Sequence, residues 1–234
     1  MPAVETLNKE ELLGRSFIFE ALDEQSRREL AEFAHVKRYS SGDVIFDAGT
    51  PGQSMMAIAE GSVRVSVLTP SARDVTLTEL QAGDVFGEIA LLDGGERSAG
   101  VHALTNCTLV VLERRSLLDV LNRNPALSIR LIELLCKRVR RSDERMMEFA
   151  FMNLSSRLAR LLLRVTVAAP GSEEKPLTKL SLSQSEIASM TGNTRENVNR
   201  CLGKWQKKSG LVELKSGWLI IRDRAGLEAL AEEE

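Results

Sequence analysis

Apolar and polar residues change their spacing along the chain, and the changes divide it into regions of different structure. Residues 16–30 have helical spacing, with Asp23 as a candidate N-terminal cap. From about residue 36 to residue 114 the apolar residues come instead in short β-rich segments separated by Gly- and Pro-containing turns. These segments include Val44–Phe46, Ser62–Leu68, Val75–Leu80 and Leu109–Leu112. Short strands at this spacing predict an antiparallel barrel or sandwich.

A long helical stretch begins at Asn124 and Pro125 and reaches about Thr166. Apolar residues recur in it every three or four positions, and the polar Arg138 and Ser142 interrupt them. The apolar members are Leu127, Leu131, Leu134, Leu135, Met146, Phe149 and Met152. A helix that runs to about residue 151 is too long to bury this stripe against a small barrel. We therefore expect it to pair with its counterpart in a second copy as a coiled coil, with a purely intrachain role as the alternative.

Residues 182–202 predict a helix, a turn and a second helix. Ser183 and Glu186 have the spacing of a capping box, Gly192 suits the turn, and Thr194 can cap the second helix. Val198 and Leu202 would bury one face of that helix and leave the other outward: Arg195, Glu196, Asn199 and Arg200. Outward residues early in a second helix are where major-groove readers place their base contacts. A hairpin over residues 211–221, with a turn at Ser216-Gly217, follows.

Composition places the chain among globular proteins, with 43% hydrophobic and 27% charged residues. No apolar run reaches the roughly 18 residues that a membrane span needs, and Met1–Lys9 lacks the features of a secretory signal. The three cysteines, Cys107, Cys136 and Cys201, form no disulfide framework. We therefore expect a reduced, cytoplasmic protein that does not associate with membranes.

Basic residues gather near the C-terminus. Lys175–Lys215 holds eight basic and three acidic residues, a net charge of +5, whereas the whole chain carries −2. A basic module on an acidic body is typical of a nucleic-acid reader, although solvated lysine-rich helix faces are also common.

A second candidate site lies in residues 86–99, which read FGEIALLDGGERSA. One or two helical turns from Gly87 would leave backbone N–H groups that can receive an anion. Arg97 would add a positively charged guanidinium that can donate two parallel hydrogen bonds, and Ser98 would add a hydroxyl donor. Glu88 cannot hold a phosphate but can accept a hydrogen bond from a sugar hydroxyl. The alternative is that Glu88 and Arg97 simply pair with each other.

Gly87-Glu88, followed by Arg97-Ser98-Ala99 nine residues after the glutamate, resembles the phosphate-binding cassette of cyclic-nucleotide-binding domains. Residues 41–46 and 61–65 fit the same β-barrel. With the long helix and the C-terminal block, the chain is similar over about residues 16–222 to transcription regulators of the CRP/FNR family, specifically its cyclic-AMP receptor branch. The resemblance implies an α+β fold with an N-terminal antiparallel jelly-roll β-barrel, a long dimerisation helix and a C-terminal winged helix-turn-helix domain. The expected boundaries are a tail over 1–15, the barrel domain over 16–123, the helix over 124–153 and the DNA-binding domain over 154–234.

The resemblance also implies roles in ligand binding. Glu88 would take the ribose 2′-hydroxyl, and Arg97 and Ser98 the cyclic phosphate. Arg138 would lie near the ribose, with Ser142 facing the base and Asp143 reaching the base held by the other subunit. The candidate contacts are Gly87, Glu88, Ile89, Ala90, Arg97, Ser98, Ala99, Arg138, Ser142 and Asp143. A polar layer that sets the register of a coiled coil is the alternative for Arg138 and Ser142.

Asp143 departs from the pattern of the receptor branch, which usually has Thr and then Ser or Asn at the two base-facing positions. A carboxylate accepts hydrogen bonds, and both adenine and guanine offer donors. The expected allosteric ligand is therefore cyclic AMP, with cyclic GMP as a further hypothesis, and no other cofactor is expected.

For DNA, the resemblance implies that Arg195, Glu196 and Arg200 read a TGTGA-like half-site in double-stranded DNA. Lys204, Lys207 and Lys208 would contact phosphates. The candidate DNA contacts are Ser183, Gln184, Thr194, Arg195, Glu196, Asn199, Arg200 and Lys204. RNA polymerase is an implied partner, with the loop over 168–176 as a candidate contact.

Catalytic and metal chemistry find little support in the sequence. His35 and His102 are the only histidines and have no zinc-ligand spacing, and the first 106 residues contain no cysteine for an iron–sulfur cluster. We therefore expect no metal and no enzymatic activity. Two alternatives stay open: a cyclic-nucleotide regulatory subunit or adaptor, and a family member with another effector or none.

Overall fold

A computed structural model describes residues 8–233 except 17, 71–73, 168–178, 181, 216 and 217. The described residues form two compact units, 8–67 with 76–139 and 68–75 with 140–233. The helices are α1 (Lys9–Gly14), α2 (Glu24–Phe33), α3 (Glu88–Asp93), α4 (Arg114–Arg123), α5 (Pro125–Phe151), α6 (Leu154–Val167), α7 (Gln184–Thr191), α8 (Arg195–Lys204) and α9 (Arg224–Glu232). The strands are β1 (His35–Tyr39), β2 (Val44–Phe46), β3 (Ser54–Glu60), β4 (Ser62–Leu68), β5 (Asp74–Gln81), β6 (Val85–Phe86), β7 (Gly100–Ala103), β8 (Cys107–Glu113), β9 (Lys179–Leu180), β10 (Val212–Lys215) and β11 (Trp218–Ile221). The 168–176 loop and the Ser216-Gly217 turn lie outside the described residues.

The N-terminal part is built on two four-stranded antiparallel sheets, in the orders β1-β8-β3-β6 and β2-β7-β4-β5. This arrangement confirms the predicted antiparallel β-domain. Strand β3 is buried on both faces: Met56 and Ile58 face one apolar cluster, whereas Met55 and Ala57 face another that includes the helices. A strand buried on both sides has no polar alternation, which explains why the sequence pattern did not predict β3. The predicted cap is confirmed, since the Asp23 carboxylate accepts from the Ser26 backbone N–H at 2.7 Å.

Helix α5 has two apolar faces with different surroundings. Leu127 and Leu131 are buried in the first unit's core, so the expectation that this end of the stripe faces a second copy was wrong. Other apolar residues of the helix are more than half exposed: Ile129, Ile132, Val139 and Met146. With the exposed Cys136 and Asp143 they follow a 3-4 repeat, which is the spacing of a coiled-coil seam. Periodicity alone could not decide which face packs within the chain.

The second unit contains a helix-turn-helix. Helices α6, α7, α8 and α9 enclose a core with β9–β11, which form an antiparallel sheet in the order β10-β11-β9. The predicted capping box is confirmed, because Ser183 Oγ accepts from the Glu186 N–H at 3.1 Å and the Glu186 carboxylate accepts from the Ser183 N–H at 2.7 Å. Gly192 has φ = 62°, and a Cβ there would lie 2.7 Å from Cε1 of Phe149, so the turn admits only glycine without rearrangement.

Among the described residues, no helix is both long enough and apolar enough to cross a membrane.

Candidate anion site and nucleic-acid interface

The first candidate site is built around the start of α3. Gly87 has φ = 81°, a conformation that favours glycine, and a Cβ there would lie 2.6 Å from Arg97 Nη1. No side chain caps α3, and the first N–H groups of a helix have no partner within it. The segment therefore brings backbone donors next to the Arg97 side chain.

Arg97 is held in place by neutral groups. The residue is only 6% exposed. Nη1 donates to the backbone oxygens of Ser54 at 2.6 Å and of Gly87 at 2.9 Å, and Nη2 donates to Ser54 Oγ at 3.1 Å. The guanidinium carbon lies 4.2 Å from the centroid of the Phe46 ring. These contacts fix the orientation of the guanidinium without neutralising its charge.

The Arg97 charge has no counter-ion within the described part of the chain. Among the described residues no carboxylate lies within 4.0 Å of it, so the interpretation in which Glu88 pairs with Arg97 was wrong. Burial lowers the pKa of Arg97, and this effect outweighs the opposing influence of Glu88 and Glu113. A guanidinium has five donors, of which three are used here. A full charge and two N–H donors remain for an anion.

Glu88 is fully buried and pairs with α5. Its Oε1 accepts from Arg138 Nη1, while Arg138 Nη2 donates to the backbone oxygen of Val85 at 2.6 Å. Glu88 Oε2 is buried and has no hydrogen-bond partner in the described part of the chain. Because an unsatisfied buried carboxylate oxygen is costly, this atom is suited to accept a hydroxyl hydrogen bond from a ligand.

The structure brings Gly87, Glu88, Arg97 and Arg138 together. Around them Ala90 and Ala99 are buried, whereas Ile89 and Ser98 are exposed. Ser142 and Asp143 are exposed and lie in the part of α5 assigned to the second unit. Ser142 follows Arg138 by four residues and shares its helix face.

Two residues of this site were not predicted. Ser54 holds Arg97 through its hydroxyl and its carbonyl, and Phe46 packs against the guanidinium. Ser54 lies 43 positions away in the sequence. A backbone carbonyl gives no signal in a sequence, so local motifs could not have found this contact.

The second candidate site is the exposed face of α8. Val198 and Leu202 are fully buried, whereas Arg195, Glu196, Asn199 and Arg200 are exposed, as predicted from their spacing. Thr194 caps the helix, since its Oγ1 accepts from the Asn197 N–H at 3.3 Å.

The basic side chains of this face carry uncompensated charge. Within residues 182–215 the side chains of Arg195, Arg200, Lys204, Lys207 and Lys208 are exposed and form no ion pair. Gln184 is half-buried at the start of α7. The cations are therefore free to meet a polyanion.

Metal chemistry receives no support from side-chain placement. Among the residues that the structure describes, no group of three or more His, Cys, Asp or Glu side chains is placed to hold a metal ion.

Comparison with protein-family models gives two matches. Residues 36–124 match the cyclic nucleotide-binding domain, and residues 156–230 match the Crp-like helix-turn-helix domain. The first match contains Gly87, Glu88 and Arg97, and the second contains α7 and α8.

Whole-chain relatives agree with these matches. A protein named cyclic AMP receptor protein from Thermus thermophilus is 33% identical over 193 residues, which cover 82% of this chain and 86% of the relative. A CRP-like cAMP-activated global transcriptional regulator from Mycobacterium tuberculosis is 27% identical over 216 residues, which cover 92% of this chain and 96% of the relative. In fold, the chain is similar to a crystal structure of a crp/fnr-family regulator from Eubacterium rectale, with a TM-score of 0.79 and 18% identity. The match covers 94% of this chain and 100% of the solved one.

Proposed function

The chain belongs to the CRP/FNR family of transcription regulators, and from this premise we propose that it is a homodimer that binds a cyclic purine nucleotide and then a palindromic DNA site. Members of this family are DNA-binding regulators and not enzymes. The observation that carries the ligand proposal is the buried guanidinium of Arg97, which has unused donors and, among the residues that the structure describes, no carboxylate partner. A regulatory subunit or adaptor, the first alternative, does not account for the helix-turn-helix.

The proposed ligand pose follows from the chemistry of each group. The cyclic phosphate carries one negative charge and accepts from Arg97, from Ser98 and from the first backbone amides of α3, over Gly87–Ala90. Glu88 Oε2 accepts from the ribose 2′-hydroxyl, for which its missing partner is suited. Ala99, which is buried, lines the same segment. Cyclic AMP and cyclic GMP both supply this phosphate and hydroxyl.

We propose that the protein distinguishes cyclic AMP from cyclic GMP through contacts with the base. Ser142 would contact the base, and Asp143 would reach the base held by the partner subunit. A carboxylate accepts two hydrogen bonds side by side, and guanine presents two adjacent donors, whereas adenine presents only its amino group. Asp143 therefore admits cyclic AMP and extends binding to cyclic GMP.

We expect Asp143→Asn to weaken cyclic GMP binding by about tenfold, since it removes a charge-assisted acceptor. Cyclic AMP binding should change by less than about threefold. Calorimetric titration of the full chain with each nucleotide measures both. Glu144→Gln, which removes a neighbouring exposed carboxylate, is the matched control. An unchanged ratio of the two affinities in Asp143→Asn would remove Asp143 from base recognition.

The proposed dimer uses the exposed seam of α5. Its members are Ile129, Ile132, Cys136, Val139, Asp143 and Met146. Four large apolar side chains exposed in one heptad-spaced row are costly in water, and pairing with a second copy would bury them. The dimerisation segment remains proposed over residues 124–153, between a barrel domain over 16–123 and a DNA-binding domain over 154–234, with a tail over 1–15.

For DNA, we propose that Arg195, Glu196 and Arg200 read a TGTGA-type half-site through the major groove. Ser183, Gln184, Thr194, Asn199 and Lys204 would complete the contacts at the start of α7 and along α8. The ligand shifts the protein toward its DNA-competent state only if it binds that state more tightly than the inactive state. RNA polymerase as a partner and a cytoplasmic location complete the proposal.

We expect Arg195→Ala to weaken binding to a TGTGA palindrome by about 5- to 150-fold, because the arginine recognises a base edge. Binding to a scrambled duplex should hardly change. Lys204→Ala is the matched control: it should weaken both duplexes alike and reduce the salt slope by about one. Fluorescence anisotropy with cyclic AMP present measures the affinities of the wild type and of both variants for each duplex. Equal losses on both duplexes in Arg195→Ala would exclude base recognition by this residue.

A further inference from the structure

Arginines gather at the end of α5 and along α6. Residues 140–167 hold six arginines and three acidic residues, a net charge of +3. All of them lie in the second unit. Neither the proposed nucleotide site nor the base-reading face of α8 uses any of these arginines, so their grouping needs a separate explanation.

The carboxylate of Glu148 lies at the centre of this group. It accepts from Arg164 twice, from Nη1 to Oε1 and from Nη2 to Oε2, each at 3.3 Å. Arg160 Nη1 lies 3.9 Å from the same Oε1, and the side chain of Glu148 is only 12% exposed. Arg160 and Arg164 are four residues apart and share one face of α6. Two guanidinium groups therefore share one carboxylate.

Two further arginines are close enough to feel the charge of Glu148. Burial lowers the pKa of Arg157 against the opposing effect of Glu148, and its guanidinium carbon lies 4.9 Å from the centroid of the Phe149 ring. Burial and then the positive charge of Arg164 lower the pKa of Arg145, again opposed by Glu148. Repulsion between arginines thus persists around the carboxylate, which does not neutralise them all.

The core of the second unit fixes the positions of the arginines on α6. Leu158 and Leu162 are fully buried, whereas Arg160 and Arg164 are exposed. Arg160 Nε also donates to the backbone oxygen of Ala231 at 2.9 Å, which ties α6 to the end of α9. Charged donors held in place in this way lose little conformational freedom when they bind a ligand.

We infer that the arginines around Glu148 form a second anion site, which binds a small ligand with two or more linked phosphate groups. A guanidinium offers paired N–H donors that match the oxygens of a phosphate. Arg157, Arg160 and Arg164 together exceed the single charge of Glu148, and a chain of phosphates supplies the several negative charges that would balance them. Arg164 has five donors, of which Glu148 takes two, so others remain for the ligand.

The arrangement favours a compact ligand over a duplex. Phosphates of DNA are spaced along a strand, and the exposed cations distributed along α8 suit such a polyanion. The arginines at Glu148 instead converge on one side chain from two helices. The inference goes beyond the proposed function, because it involves neither Arg97 nor α8.

The test is calorimetric titration of the full chain with sodium triphosphate. We expect saturable binding by the wild type that is retained in Arg97→Leu, since the cyclic-nucleotide site is a different one. Arg160→Gln/Arg164→Gln should weaken it at least about tenfold, because hydrogen bonds to charged groups are lost. Arg140→Gln, which removes an exposed arginine of α5 that forms no ion pair among the described residues, is the matched control and should bind like the wild type.

Glu148→Gln gives a result that a misfolded protein could not produce. It keeps the shape of the side chain and removes the competing negative charge, so triphosphate binding should tighten by about fivefold or more. Weaker binding by Glu148→Gln would overturn the inference, because a site made of arginines gains affinity when the acid among them is neutralised. Wild-type affinity in Arg160→Gln/Arg164→Gln would overturn it as well.

Two further titrations identify the source of the phosphates and exclude simple screening. ATP that displaces triphosphate would assign the site to nucleotides with a phosphate chain, whereas ATP that does not would assign it to inorganic phosphate chains. Sulfate at matched ionic strength should bind at least about tenfold more weakly than triphosphate. Equal binding of the two anions would show only screening of surface charge and overturn the inference.

The failure of this inference is distinguishable from that of the proposed function. Absence of triphosphate binding by a wild type that still binds DNA in the presence of cyclic AMP would overturn only the second site. If Arg160→Gln/Arg164→Gln then also lowered DNA affinity and its salt slope, the arginines would be contacts to the duplex backbone. Triphosphate binding by a protein that binds no DNA with either nucleotide would overturn only the proposed function.

Discussion

Replacement of Arg97 by leucine is expected to weaken cyclic AMP binding by at least about 30-fold. Arg97 is the only buried cation that the structure places beside the start of α3 without a carboxylate, within the residues described. Removing one partner of a buried charge pair costs about 2 kcal/mol or more, and each 1.4 kcal/mol is a factor of ten. Calorimetric titration of the purified full chain measures the loss.

Two controls separate ligand binding from folding. Arg97→Leu also removes the donors that satisfy the carbonyls of Ser54 and Gly87, so its unfolding transition must be measured in parallel. Ser54→Ala removes only one neutral acceptor from the guanidinium and should weaken binding by about tenfold or less. A folded Arg97→Leu protein that binds cyclic AMP with wild-type affinity would place the phosphate elsewhere.

The second large effect concerns Arg138, whose replacement by methionine should destabilise the ligand-free protein by about 3–5 kcal/mol. Glu88 is fully buried, and the hydrogen bond from Arg138 is its only one among the described residues. Without Arg138 both carboxylate oxygens would be buried and unsatisfied. Urea unfolding at neutral pH, with the same protein concentration for each variant, measures the difference.

Arg140→Met is the matched control for this prediction. Arg140 is exposed on the same helix and forms no ion pair among the described residues, so its loss should cost well under 1 kcal/mol. The double variant Glu88→Met/Arg138→Met should recover most of the lost stability, because it leaves no buried charge without a partner. Equal stability of Arg138→Met and Arg140→Met would show that Glu88 does not depend on its partner.

Local features could be predicted from the sequence because their physical causes are local. Asp23, Ser183 and Thr194 each cap a helix through a backbone N–H three residues ahead. Gly192 gives the turn of the helix-turn-helix, although the contact with Phe149 that excludes a Cβ there becomes visible only in three dimensions. The outward face of α8 follows from its two buried residues in the same way.

Other features depend on contacts between distant segments. The Ser54 groups that hold Arg97 come from β3, and the Arg138 that donates to Glu88 lies 50 residues further along the chain. Helix α5 illustrates a different limit. It has apolar residues on two faces, and only the packing of Leu127 and Leu131 shows which face the first unit covers.

The most direct test of the central claim, that filling the site beside Arg97 raises DNA affinity, is anisotropy with a labelled TGTGA palindrome, with and without saturating cyclic AMP. We expect the nucleotide to tighten DNA binding by about 5- to 150-fold in the wild type, the usual range for coupling between two sites, and to have no effect in Arg97→Leu. Equal wild-type affinities with and without the nucleotide would contradict the claim.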